Sequence, residues 1–318
     1  MAKPGPIGTI TQYFGARYVA MMLGLFPLNA NLKTARDLGS LIYKIDRKHR
    51  KRALENLRPA FPEKSEKELS EIAERSMQHL ISLVMEVLFT TRMINVESWH
   101  RHVRLVNMSE ALKVLLRGQG AIVLTGHYGN WEILGYTLAT LGFETYSVAR
   151  PLDNDMIYAW LLGVREKRGQ IILTKQGAST TGQDVLARKG VLGFIADQDA
   201  GPKGMFVPFF GRLASTYKAI GLLAIEHNVP VIVGYARRTG DHFQYDMGVQ
   251  DIIYPEDWKN YPRDQYRDEC HYLTARYAKA IEDFVRDEPS QYLWVHRRWK
   301  TRPKSELAAA AAAASAVK

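Results

Sequence analysis

The chain has 318 residues, one cysteine, and a formal net charge of +10 from 43 Lys+Arg against 33 Asp+Glu. A composition of 46% hydrophobic and 24% charged residues excludes disordered and fibrous classes. The lone Cys270 excludes a disulfide framework and any multi-thiolate metal site built from this chain alone, and fits a reducing compartment. The basic surface is suited to phosphorylated ligands, anionic lipid headgroups or an acidic carrier protein.

Between Pro4 and Leu32 the only charge is Arg17, and residues 18–28 are strongly apolar. That is short of the ~20 unbroken apolar residues a bilayer-crossing helix needs. Arg17 interrupting the stretch, and Pro27 and Asn29 at its end, speak against a cleaved secretory signal. Two readings stay open, a helix lying in the membrane interface and a helix buried against the protein's own core. The first is the expectation. The basic run at residues 44–52 reads as a solvated helix face or as a contact for anionic headgroups, where each cation near the surface contributes about 1 kcal/mol.

Pro59 and Pro62 punctuate the chain, and Ser65 with Glu68 forms a capping pattern that opens a long helix. Leu69, Ile72, Ala73, Ser76, Met77, Leu80, Ile81, Val84, Val87 and Leu88 recur at helical spacing, so one broad face is buried. Beyond about residue 103 the texture changes to short apolar runs, at 121–125, 144–149, 170–174, 191–196 and 229–235, separated by helical stretches. The expected fold class is therefore α/β, with a mixed, largely parallel central sheet flanked by helices behind an N-terminal helical membrane-associated segment. A polar helix follows over about 264–287. The division is 1–58 for the N-terminal segment, 59–303 for a catalytic domain and 304–318 for an alanine-rich tail.

There is no Gly-x-Ser-x-Gly elbow, no phosphate-binding loop and no dinucleotide-binding glycine fingerprint. His100 and His102 lack metal-ligating companions and read as surface or satisfied histidines. Cys270 reads as a packed thiol. The cations and tryptophan at 297–300 have the interleaving of single-strand binders without any nucleic-acid module around them.

Two segments carry chemistry. In the first, a strand ends at Thr125-Gly126 and a helix opens near Glu132, placing His127 at a strand-to-helix junction, where open α/β sheets bind ligands. A histidine there can take a proton at neutral pH, and Glu132 can fold back across the Gly129-Asn130 turn to hold its other ring nitrogen. The bland alternative is a helix start whose histidine caps backbone amides. In the second, a strand runs into Asp197-Gln198-Asp199, two carboxylates that need an answering cation, for which Lys203, Arg212 and Arg150 are the candidates. The apolar 206–210 stretch, with Phe209 and Phe210, would line a greasy channel or pack as a buried loop.

Together these segments resemble the bacterial lipid A late acyltransferases, the lauroyl/myristoyl family, within the wider His-x4-Asp/Glu lysophospholipid-type acyltransferases. The likeness rests on Gly126-His127-Tyr128-Gly129-Asn130-Trp131-Glu132, on Val148-Ala149-Arg150-Pro151, and on Asp197-Gln198-Asp199 through Phe209-Phe210-Gly211. It extends upstream to Arg52-Ala53-Leu54-Glu55-Asn56-Leu57 with Phe61-Pro62 and downstream to Tyr292, Trp294 and Arg297-Arg298-Trp299, covering about residues 40–303. The resemblance implies transfer of a fatty acyl chain from an acyl carrier protein or coenzyme A thioester to a hydroxyl of a membrane glycolipid such as a lipid A precursor. It places this at the cytoplasmic face of the bacterial inner membrane, with no metal or nucleotide cofactor. It assigns His127 as general base and Glu132 as its partner, and associates Arg150 and residues 197–199 with the crevice. The amides of Gly129 and Asn130, with Arg150, would meet the oxyanion. Substrate contacts are expected at Gly129, Asn130, Arg150, Asp197, Gln198, Asp199, Lys203, Phe209 and Phe210. A shorter, arginine-interrupted N-terminus departs from the membrane-spanning helix common in the family. The competing readings are acyl transfer to another polar glycolipid of the phosphoinositol mannoside type, an acyl thioesterase, and a basic binding protein without activity.

Overall fold

The computed structural model describes residues 5–149 and 151–306, and only the backbone of residues 175–180. Arg150 and the alanine-rich tail beyond 306 lie outside the described residues. The chain opens with α1 (Pro6–Gly24), α2 (Leu28–Ile45), α3 (Arg47–Ala60), α4 (Glu66–Val87) and the one-turn α5 (Thr90–Met93). Ser65 accepts from the Glu68 amide while Glu68 accepts from the Ser65 amide, so α4 starts where the capping pattern places it. Pro59 sits inside the last turn of α3 rather than before its end.

The α/β part then runs β1 (Val103–Val106), α6 (Ser109–Leu116), β2 (Ala121–Thr125), α7 (Trp131–Thr140), β3 (Thr145–Val148), α8 (Asp155–Glu166), β4 (Ile171–Leu173), α9 (Lys175–Ala187) and β5 (Val191–Ile195). A hairpin of β6 (Met205–Phe209) and β7 (Arg212–Thr216) follows, then α10 (Lys218–His227), β8 (Val231–Arg238), β9 (Tyr245–Ile253), α11 (Pro255–Lys259) and α12 (Glu269–Asp287). Seven strands form one sheet in the order β1-β9-β8-β2-β5-β3-β4. It is parallel from β8 to β4, and β9 runs antiparallel to β8. The five apolar runs read from the sequence are the five parallel strands. The polar-interrupted β1 and β9 carried no such signal, and the apolar 206–210 stretch, expected as a channel lining or buried loop, is strand β6 of the hairpin.

Buried side chains cover both faces of the sheet. Tyr128, Leu192, Tyr277, Phe284 and Trp294 belong to one cluster, and Leu32, Ile133, Leu138, Ile232 and Tyr245 to the other. Inserted between β2 and β3, β5 brings its C-terminal end beside that of β2, with Thr125 paired to Ile195. This is a switch point in strand order, where loops from adjacent strands diverge and leave a crevice.

No residue of α1 is buried, and Ile7 (82% exposed), Leu25 (70%) and Phe14 (63%) all face outward. This removes the reading in which the segment is packed inside the core. The helix rests on α8, where Asn154 donates to the Thr9 carbonyl at 3.0 Å and to Gln12 Oε1 at 3.1 Å, and Arg17 stacks over Trp160. Among the described residues no helix is long and apolar enough to cross a membrane.

Candidate active site

His127 lies two positions beyond the end of β2, and Asp197 two beyond the end of β5. The parallel register that pairs Thr125 with Ile195 thereby sets the two side chains together. Asp197 Oδ1 accepts from His127 Nδ1 at 2.6 Å, and its Oδ2 accepts from the His127 amide at 2.8 Å. Burial of Asp197 opposes its ionisation, but the His127 ring and amide outweigh this and hold the carboxyl below its ordinary range. An ionised Asp197 keeps a proton on Nδ1, which leaves the Nε2 lone pair as acceptor. Gln198 Nε2 stands 3.4 Å from that Nε2.

The brace on His127 is therefore Asp197, which corrects the expectation that Glu132 holds the ring. Glu132 instead accepts a bidentate pair from Arg165 on α8, at 2.8 and 2.7 Å. Burial works to lower the Arg165 pKa, yet the carboxylate overcomes it and raises it. Five residues of chain do bring Glu132 to the crevice. Its position in the first turn of α7 aims it at α8.

The turn between His127 and α7 is held from beneath. Asn130 caps α7 by accepting from the Ile133 amide, and its Nδ2 donates to Glu86 Oε2 at 2.9 Å. Glu86, wholly buried on α4, also takes both guanidinium nitrogens of Arg238, one at 2.6 Å. His79 Nε2 lies 2.9 Å from the Gly129 carbonyl. Gly129 has φ +56°, and a Cβ there would sit 2.1 Å from the Ala236 carbonyl oxygen, so only glycine fits. The Gly129 and Asn130 amides donate to the Gln291 and Ala236 carbonyls. They are spent on the fold, which corrects their assignment to an oxyanion. The first two amides of α7, on Trp131 and Glu132, have no partner among the described residues, as befits a helix start.

A cavity of about 350 Å³ opens beside His127. Its floor is one face of the sheet, with Val191, Gly193 and Ile195 of β5, Val123 and Thr125 of β2, and Thr145 and Ser147 of β3. Leu134, Gly135 and Leu138 of α7 and Leu161 and Arg165 of α8 form the roof. Along β5 from Ile195 to Val191 the floor spans about 13 Å. Gly193, midway, leaves its share of the floor open.

The other expected residues fall elsewhere. Gln198 lines the cavity. Asp199 instead accepts from the Thr301 amide and hydroxyl and ties down the C-terminal segment. Lys203 is exposed away from the cavity wall. Phe209 and Phe210 are not the greasy lining. Both are buried, stacking with Trp299 and with Phe61 and Trp294 respectively, with the Arg298 guanidinium over Phe209. Arg298 is itself buried, donating to Ser215 and Thr216, which places it within the fold rather than in a nucleic-acid patch. Arg150 lies outside the described residues.

Sequence reasoning missed Arg165 and His296. The first sits 33 residues from its partner, and no local pattern announces such a pair. The His296 ring packs edge-on at 4.3 Å from the His127 centroid. Burial, then the adjacent His127, lowers its pKa to about 4, so it stays neutral at physiological pH. His127, Asp197 and His296 offer ligand atoms within 4.8 Å of one another, but both Asp197 oxygens are already bonded to His127. His102 bonds the Phe243 carbonyl and Cys270 is buried.

A profile described as bacterial lipid A biosynthesis acyltransferase matches residues 7–301. The chain is 24% identical over 306 residues to a lipid A biosynthesis acyltransferase of Haemophilus influenzae, covering 93% of this chain and 90% of the relative. It is 27% identical over 268 residues to the lipid A biosynthesis palmitoleoyltransferase of Escherichia coli, covering 80% and 79%. With the lipid A biosynthesis myristoyltransferase of the same organism it shares 26% identity over 306 residues, covering 93% and 90%.

Proposed function

Because the chain belongs to the bacterial lipid A biosynthesis acyltransferase family and is an acyltransferase, we propose that it moves a fatty acyl chain from a thioester donor to a hydroxyl of a lipid A-type glycolipid. The observation that carries this reading is a histidine braced by a buried carboxylate at the end of an apolar cavity. His127 Nε2 takes the proton of the acceptor hydroxyl as its oxygen attacks the thioester carbonyl. The Arg165 guanidinium, held in place by Glu132, and the free amides of Trp131 and Glu132 answer the charge developing on the carbonyl oxygen. As the C–O bond forms and the C–S bond breaks, the imidazolium returns its proton to the departing thiolate. The acyl chain lies along the β5 floor, excluded from water.

The donor in this reading is an acyl carrier protein or coenzyme A thioester, attracted by the +10 surface. The same reading puts the protein at the cytoplasmic face of the inner membrane, which the exposed apolar side chains of α1 and the basic start of α3 support. The mechanism asks for no metal or nucleotide.

The test incubates the full chain in neutral detergent micelles with a radiolabelled acyl thioester, with and without a lipid A precursor that lacks one secondary chain. Ester-linked label on the precursor is the expected result. Label recovered only as free fatty acid would establish a thioesterase instead, and transfer only to a phosphoinositol mannoside would change the acceptor.

A further inference from the structure

A second concavity lies on the other side of α8. It is a groove of about 580 Å³ between α1 and α8, lined by Tyr13, Arg17, Met156, Trp160, Val164 and Lys167 among others, with Thr91 at its wall. Two cations and no acid line it. The Arg17 guanidinium lies over the Trp160 ring at 5.2 Å and near the Tyr13 ring at 6.0 Å. Neither Arg17 nor Lys167 has a carboxylate partner among the described residues. Stacking orients a guanidinium without neutralising it, so its N–H groups stay available at the ring edges.

The surroundings narrow the ligand. The groove is bounded by α1, whose Phe14, Tyr18 and Met21 are exposed apolar side chains. A cationic, aromatic-walled recess beside an apolar face matches a molecule with an anionic head and hydrocarbon tails. The opposite face of α8 contributes Leu161 and Arg165 to the catalytic cavity. The groove and the cavity are thus separated by one helix, about 10 Å thick, a distance that a single glycolipid bridges.

We infer that the α1–α8 groove is a binding site for the phosphate of a lipid headgroup, with Arg17 and Lys167 as the recognising cations. This rests on the glycolipid reading above. The phosphate belongs either to the acceptor itself, positioning its hydroxyl, or to a lipid of the surrounding bilayer. Arg17 and Lys167 lie outside the catalytic cavity, so in either case they act on binding and not on the chemical step.

The test compares the parent with the Arg17→Gln/Lys167→Gln double variant, using the Lys259→Gln/Arg263→Gln double variant, at two exposed positions on and just beyond α11, as a control of equal net charge. In neutral micelles each protein is given a phosphorylated lipid A precursor and the same precursor after phosphatase treatment. In a second arm each is sedimented with vesicles of phosphatidylcholine alone or of equal parts phosphatidylcholine and phosphatidylglycerol. If the acceptor supplies the phosphate, the double variant raises KM for the phosphorylated precursor about tenfold. Its kcat is unchanged, and the preference over the treated precursor disappears. If a bilayer lipid supplies it, the micelle kinetics match the parent and the gain in sedimentation from phosphatidylglycerol is lost. The inference is overturned if the Arg17→Gln/Lys167→Gln variant equals the Lys259→Gln/Arg263→Gln control in both arms. Should the parent transfer no acyl chain to either precursor, the acyl-transfer reading fails while the vesicle arm still decides the groove.

Discussion

His127 and Asp197 are 70 residues apart in the chain and one hydrogen bond apart in space. Each stands two positions past a residue of the Thr125–Ile195 strand pair. The geometry of this pair is thus a property of parallel register. A slip of one residue between β2 and β5 would turn one of the two side chains to the other side of the sheet.

Replacing Asp197 by Asn keeps shape and burial but leaves no carboxylate to hold the Nδ1 proton. The expected result is a kcat lowered about 10²- to 10⁴-fold with KM values near the parent's, and a similar loss in His127→Ala. Steady-state kinetics checks this, with circular dichroism confirming the fold. Parent-like turnover by Asp197→Asn would remove His127 as the base.

The Glu132–Arg165 pair separates positioning from charge. Arg165→Ala is expected to lower kcat by about 10²- to 10³-fold. Arg165→Lys should recover little, because an ammonium cannot reproduce the two parallel bonds to Glu132. Glu132→Gln, which leaves the cation but loosens its seat, should fall between the parent and Arg165→Ala. Full activity in Arg165→Lys would mean that the guanidinium geometry is irrelevant to the reaction.

If the acyl chain lies along the β5 floor as proposed, the far end of the cavity limits its length. Val191 lies at the start of β5, remote from His127, and Val191→Phe fills that end. Competition between donors of graded length should then shift toward shorter chains, with the rate on the shortest donor nearly intact. An unchanged preference would show that the acyl chain lies elsewhere.

Under the turn between His127 and α7, Glu86 and Arg238 form a buried pair that also holds Asn130. Glu86→Ala strips the buried Arg238 of its carboxylate and the Asn130 side-chain amide of its shorter hydrogen bond, and stability should fall by about 3–5 kcal/mol. Urea titration measures this. Adding Arg238→Ala to Glu86→Ala should cost less than the sum of the two single changes, because the stranded charge is then gone.

Acid sensitivity follows from two rings whose pKa values are pushed down. Burial, then Arg238, lowers His79 to about 3, and burial, then His127, lowers His296 to about 4. Both are neutral in the fold yet bind protons in the unfolded chain below about pH 6.5. Stability is therefore full above that pH and falls on acidification from about 6.5 toward 4, with a slope of up to about 1.4 kcal/mol per pH unit for each ring. Denaturation midpoints across this window should flatten in His296→Gln. An unchanged slope would place the proton uptake elsewhere.

Local and periodic features were determined by the sequence alone. The capping box of α4, the five apolar strands and the strand-to-helix junction that exposes His127 all depend on neighbours within a few positions, where propensity and spacing are decisive. The partners of the reactive groups were decided by tertiary structure. Asp197 reaches His127 through strand order, Arg165 reaches Glu132 from one helix of the cavity roof to the other, and the Gly129 and Asn130 amides are consumed by Gln291 and Ala236. The 206–210 stretch makes the same point, since an apolar run can line a channel or fill a core equally well. What settled it was the place of the β6–β7 hairpin, packed against the aromatic C-terminal segment, while the open lane beside His127 came from Gly193 and the spacing of α7 and α8 above the sheet.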